Sequence, residues 1–206
     1  MSYVYRLYAK LCRMRQSWGF GVHSPNIYQL LTDVFRERHP YYAYDAIEHL
    51  PHTSEWPGCT IKVNKLLFRM VNYFQPEWVV EVGTGDGQSL KCMAMAKKNL
   101  RCVVVEDNPP FFASEELVQL AADYEMWHFL HIAHTAHYAQ VFEAALSRTG
   151  SRSVFIVEGI HSSREKTRWW KKVETDNRTG ITIDLYDLGL VFFDKKCPKR
   201  NFRMTF

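Results

Sequence analysis

The sequence predicts an α/β fold: a mostly parallel sheet covered on both faces by helices, ending in an antiparallel hairpin and preceded by a helical extension. Three observations carry this prediction. From residue 78 onward, short β-rich runs alternate with helical segments over short connections, the pattern of parallel strands buried on both sides. A glycine-rich loop stands where the first of these runs hands over to its helix. The last two runs before the tail, Ile181–Tyr186 and Leu190–Phe193, lie close enough to pair as a hairpin turning around Asp187-Leu188-Gly189.

In chain order, Val4, Leu7, Tyr8, Leu11 and Met14 recur at steps of three and four, an amphipathic helix over residues 2–16 whose apolar stripe suits packing on the domain. Gly19 and Gly21 break it. Ser24 then offers an N-cap and Pro25 fits the first helical turn, opening a helix through Ile27, Leu30, Leu31 and Val34. The aromatic stretch from Tyr41 to Gly58 reads as mostly irregular. A third helix covers 60–74 and stops before Pro76. Strand 78–82, a helix to about Lys98, strand 101–106, helix 113–124, strand 127–132, helix 136–147, strand 153–158 and helix 163–173 follow. Phe202, Met204 and Phe206 alternate with polar neighbours as in a terminal strand. The division expected is an N-terminal helical extension, residues 1–58, packed on a core domain, residues 59–206.

With 206 residues, 47% apolar and 23% charged, the chain can bury roughly 70% of its unfolded surface, so global disorder is excluded. No apolar run approaches the ~18 residues of a membrane span. Its five cysteines form no C-x-x-C pair and sit mostly in apolar segments, as reduced thiols do; the expected location is the cytoplasm. The charge is uneven. Residues 1–32 carry Arg6, Lys10, Arg13 and Arg15 and no acid, and residues 195–206 carry five bases and no acid, around an acidic middle. A sequence-specific nucleic-acid binder, basic throughout, is not expected. The basic ends suit solvent, an acidic partner, lipid headgroups or phosphate.

Glu81-Val-Gly83-Thr84-Gly85-Asp-Gly87 marks the first strand–helix junction. Glycines there let the backbone turn tightly and approach a ligand, and the helix beyond offers unpaired N–H groups. Glu106, 19 residues after Gly87, ends the next strand, where a carboxylate can accept both ribose hydroxyls of a nucleoside. A dinucleotide site spaces its glycines as G-x-G-x-x-G to admit a pyrophosphate. Here they fall as G-x-G-x-G behind an acid, which suits a ligand carrying positive charge.

This loop resembles motif I of the class I S-adenosylmethionine-dependent methyltransferases. Leu66–Pro76, Gly21-Val-His23-Ser-Pro25, Gly159-Ile-His161-Ser-Ser163 and Ile181–Phe193 are similar to segments of a bacterial O-methyltransferase group of that family. The resemblance implies a Rossmann-like methyltransferase fold with the last strand antiparallel, S-adenosylmethionine as cofactor, and a small-molecule oxygen or nitrogen acceptor. It assigns cofactor binding to Glu81, Gly83, Thr84, Gly85, Gly87 and Glu106.

The chain departs from that group at three places. Between Asp107 and Leu130 there is room for a helix but not for a further strand–helix unit, so the third strand is expected to be missing. Ala133 stands where relatives carry an acid able to bind a divalent metal or act as base, and Glu158-Gly159 replaces a paired acidic motif. No metal site is expected, and a base must come from Glu158, His134 or His161. Trp127, Trp169 and Trp170 read as core or groove lining, and Arg164-Glu165-Lys166 as a solvated helix face. Two functions remain open, a methyltransferase and a catalytically inactive fold kept as a binding module. A homodimer or an acidic partner at the basic N-terminal helix is compatible with both.

Overall fold

The structure, a computed structural model, describes residues 11–50, 60–105 and 126–206. Residues 11–17 are helical. Next come α1 (Pro25–Leu30), which runs into a π-helical turn (Leu31–Phe35), α2 (Tyr44–Glu48) and α3 (Ile61–Phe74). The strand–helix alternation is β1 (Trp78–Val82), α4 (Gln88–Met95), β2 (Arg101–Val105), β3 (Phe129–Ile132), α5 (Tyr138–Leu146), β4 (Val154–Glu158) and α6 (Arg164–Thr175). β5 (Thr182–Asp184), β6 (Leu188–Phe192) and β7 (Asn201–Arg203) close the chain. The expected helix 113–124, the end of strand 101–106 and the segment where a third strand was not expected fall outside the described residues.

The seven strands lie in the order β2-β1-β3-β4-β6-β5-β7. β2, β1, β3 and β4 are parallel, β6 runs antiparallel to both β4 and β5, and β7 adds parallel to β5. The chain leaves β1 for β2 on one side and reaches β3 on the other, so the order reverses between β1 and β3. Ligands of open α/β sheets bind in the crevice at the carboxyl ends of strands that flank such a point.

Strand side chains alternate between two cores. Val79, Phe129, Val154, Ile156 and Ile183 pack beneath α1, α3 and α4, while Trp78, Val80, Leu130, Phe155 and Val157 pack against α5 and α6. Each fully buried aliphatic or aromatic side chain contributes about 1.5–3 kcal/mol. Thr60 caps α3 by accepting from the Val63 N–H, and Gln75, in the left-handed region at φ 47°, ends it before Pro76. Ser24 occupies the N-cap position of α1 with Pro25 in the first turn, but its hydroxyl makes no capping bond.

Four local expectations are corrected. The hairpin turns at Leu185-Tyr186-Asp187, two residues earlier than its turn residues suggest. Gly189 is a strand residue paired with Val157 and Asp184, and a Cβ there would lie 2.6 Å from the Trp170 ring. The glycine makes room for an indole instead of a turn. Tyr186 takes the strained position at φ 76°, its N–H held by Asp184 at 2.8 Å. Residues 44–48 are helical inside the stretch expected to be mostly irregular. Leu11 and Met14 face outward instead of packing on the domain; Val4, Leu7 and Tyr8 of the same expected stripe lie outside the described residues. Lys166, expected on a solvated face, is buried, because the first turn of α6 lies over Tyr138 with the Lys166 ammonium 4.6 Å from its ring.

Candidate active site

The loop from β1 to α4 is held open by its glycines. Gly83, Gly85 and Gly87 have φ of 76°, 59° and 72°, a region L side chains rarely adopt. Gly83 is also a close approach, since a Cβ there would stand 3.0 Å from the His134 carbonyl oxygen. Among the described residues, nothing lies within 4 Å of where a Cβ on Gly85 would be. The strand ends lock around the loop: the Gly83 N–H donates to the Val105 carbonyl at 3.0 Å and the Ala133 N–H to the Val82 carbonyl at 2.9 Å. The buried hydroxyl of Thr84 has no hydrogen-bond partner among the described residues. A backbone cradle with an orphaned hydroxyl is what a polar, flexible ligand at this loop would complete. Glu106 follows Val105 in sequence and lies outside the described residues.

Beneath the loop runs a chain of buried acids and imidazoles. Glu81 and His131 are register partners on β1 and β3, and His131 pairs with Ile156, two residues before Glu158 on the same face of β4. Period-two alternation therefore points all three polar side chains toward α4. Glu81 accepts from the Ser89 hydroxyl at 2.7 Å. The His131 ring spans the two carboxylates, with Nδ1 3.2 Å from Glu81 and Nε2 3.1 Å from Glu158. The second oxygen of Glu158 lies 2.9 Å from His134 Nε2. Burial opposes charge on both His131 and Glu158, but their hydrogen bonds outweigh it. His131 is pushed up to about 10 by Glu158 and Glu81, and Glu158 is held down at about 2 by His131 and His134.

The Glu158 charge is also felt by Lys166. Burial pulls its ammonium down to about 8, and the Glu158 charge works the other way. Ala133, at the mouth of β3, is buried. Among the described residues no group of three or more His, Cys, Asp or Glu is arranged to hold a metal ion.

Of the three residues from which a base was expected, the fold brings Glu158 and His134 together and sets His161 elsewhere. His161 Nε2 lies 2.8 Å from Asp184 Oδ2, at the carboxyl end of β5. The Arg13 guanidinium donates to both oxygens of Asp184 at 3.0 and 2.9 Å. Although buried, Asp184 is held below the usual carboxylate range by His161 and Arg13. Glu81 lies under the glycine loop, fully buried. Sequence reasoning gave no site role to His131 or Ser89 and read Lys166 as solvated. One signal was present for the first, a histidine inside the apolar run Phe129-Leu-His-Ile132. A cavity of about 400 Å3 opens at the opposite, amino-terminal edge of the sheet, among Phe74, His128, Phe129 and Phe192, away from this chemistry.

No protein-family profile matches the chain, and no curated protein matches it by sequence. Solved structures do. An O-methyltransferase from Bacillus cereus in complex with SAH matches at TM-score 0.52 and 16% identity, over 81% of this chain and 97% of that one. A methyltransferase from Geobacter sulfurreducens matches at TM-score 0.54 and 17% identity, over 84% and 98% of the two chains. The SAH-bound methyltransferase PaMTH1 of Podospora anserina matches at TM-score 0.52 and 10% identity, over 83% and 96%. The chain therefore has the Rossmann-like fold of class I methyltransferases.

Proposed function

We propose that this chain binds S-adenosylmethionine at the Gly83–Gly87 loop and transfers its methyl group to a small-molecule oxygen or nitrogen. One observation carries the reading. An open glycine cradle, with a Thr84 hydroxyl that has no partner among the described residues, lies at the switch point of the sheet, and the backbone of His134, whose ring is paired with Glu158, closes directly on it. Gly83, Thr84, Gly85 and Gly87 would hold the cofactor's amino-acid part and Glu106 its ribose, with Glu81 bracing the loop through Ser89. When bound, the cofactor supplies an electrophilic methyl group on a sulfonium. The protein's work is then alignment and removal of one proton.

His134 suits that second task. Its ring is a fifth exposed, and the adjacent Glu158 carboxylate stabilises the imidazolium formed when it takes the acceptor's proton. His161, tied to Asp184 and Arg13, serves to hold the N-terminal segment. In this proposal residues 1–58 form an extension on a methyltransferase domain of residues 59–206. The four described cysteines are free, in keeping with a cytoplasmic setting, and no described helix is long and apolar enough to cross a membrane.

Titration with S-adenosylmethionine and S-adenosylhomocysteine, with NADH as control, tests the cofactor. Micromolar affinity, about −8 kcal/mol, is expected for the first two, and Glu106→Ala should weaken it. Absence of binding by a folded sample overturns the proposal. Once an acceptor is found, Glu158→Gln should lower kcat about 100-fold or more with cofactor affinity retained. Ala133 favours a second reading, a fold kept for binding alone; cofactor binding without transfer to any of a broad set of phenols, catechols and amines would establish that one.

A further inference from the structure

The helical segment 11–17 is mounted with its polar side inward. Arg13 and Ser17 are buried. Arg13 bonds Asp184, Ser17 contacts Thr205 at 3.1 Å and accepts from the Thr205 N–H at 2.7 Å, and Gln16 accepts from the Arg203 N–H at 2.7 Å. The apolar side faces out. Leu11, Met14 and Trp18, at helical spacing, are 57%, 45% and 64% exposed, and Phe20, just beyond, is 63% exposed. A stripe this size on one short element, turned outward while the opposite side is held by Asp184, implies an occupant.

Charge selects the occupant. Residues 1–32 hold no acid. Arg15, Arg36 and Arg203 are exposed around the stripe, and the Arg36 guanidinium lies over the Trp18 ring at 5.8 Å. A second copy would bring two basic surfaces together. An amphipathic helix with bulky apolar residues on one side and cations at its margins is instead suited to lie in the headgroup layer of an anionic bilayer, where indoles and phenyl rings settle at the interface.

We propose that the face formed by Leu11, Met14, Trp18 and Phe20 with Arg15 and Arg36 docks the protein on anionic lipid. Docking is peripheral and reversible, and it does not depend on the methyl-transfer reading.

Flotation of the full chain with phosphatidylcholine vesicles, with and without phosphatidylglycerol, tests this. The expected result is association with the phosphatidylglycerol vesicles alone, weakening as salt is raised. The triple variant Leu11→Ser/Met14→Ser/Trp18→Ser should bind at least about tenfold more weakly. Arg15→Glu, which leaves the stripe in place, should lose affinity as well. No association with phosphatidylglycerol vesicles at low salt overturns the proposal. So does equal binding by the triple variant, or retention on polyglutamate without binding to vesicles, which would assign the face to an acidic protein. A concentration-dependent dimer abolished by the same three substitutions would assign it to a second copy and also overturn the proposal.

Discussion

His131 holds two carboxylates apart in the interior of the sheet, and removing it leaves both Glu81 and Glu158 buried without their shared cation. Breaking a buried pair in this way costs about 3–5 kcal/mol, so His131→Leu should lower the urea midpoint by a corresponding amount. The dependence on pH has a definite sign. The folded pKa of His131, about 10, is raised above its ordinary 6.5. Its contribution is therefore fully present below the unfolded value and lost as pH rises through about 10. The folded pKa of Glu158, about 2, is depressed from 4.5, so its contribution is present above the unfolded value and lost as pH falls toward 2. The wild type should show a stability plateau between about pH 4.5 and 6.5, where both contributions are complete, and His131→Leu should remove the alkaline decline. Chemical denaturation from pH 5 to pH 10 measures both. Glu81 and Glu158 were legible in the sequence because acids at the ends of apolar strands stand out. Their link was not, since it depends on the pairing of Glu81 with His131 across β1 and β3, and register is a property of the assembled sheet.

At the level of elements, two glycines separate local strain from ligand binding. Gly83→Ala places a Cβ at φ 76° and 3.0 Å from a backbone oxygen, which cannot yield as a side-chain tip can. It should destabilise the protein and abolish cofactor binding together. Gly189→Ala meets the Trp170 ring at 2.6 Å on a strand remote from the glycine loop. It should cost about 1–3 kcal/mol by overpacking and leave cofactor affinity unchanged in titration. The strand–helix alternation was legible because buried strands and amphipathic helices impose different apolar periods on the chain. The hairpin turn was misplaced because Gly189 carries the same letter whether it bends the backbone or admits an indole. Lys166 was misplaced because a charged residue in a charged run reads as solvated until the strand end beneath it is known.

For the molecule as a whole, the Arg13–Asp184–His161 cluster joins the two ends of the sequence at the carboxyl edge of the sheet. Asp184→Ala takes away the partner of a buried guanidinium. Trypsin should then cut after Arg13 or Arg15 at least about tenfold faster, while near-ultraviolet circular dichroism of the core remains unchanged; equal cleavage rates would show that Ser17 and Gln16 suffice to hold the segment. This clasp was invisible in the sequence, because its halves lie 171 positions apart and nothing in a local pattern relates them.

That separation has a bearing on biosynthesis. The helix carrying Arg13 emerges from the ribosome 171 residues ahead of Asp184, and its Ser17 emerges 188 residues ahead of Thr205, the groups that complete its seat. Throughout that interval, at about 5–20 residues per second, the segment has no native berth, and its oily side is available to whatever the growing chain meets. Its seating has to wait for residue 184 and beyond, and a message truncated shortly before codon 184 would yield a nascent chain with that side unsecured and within reach of chaperones.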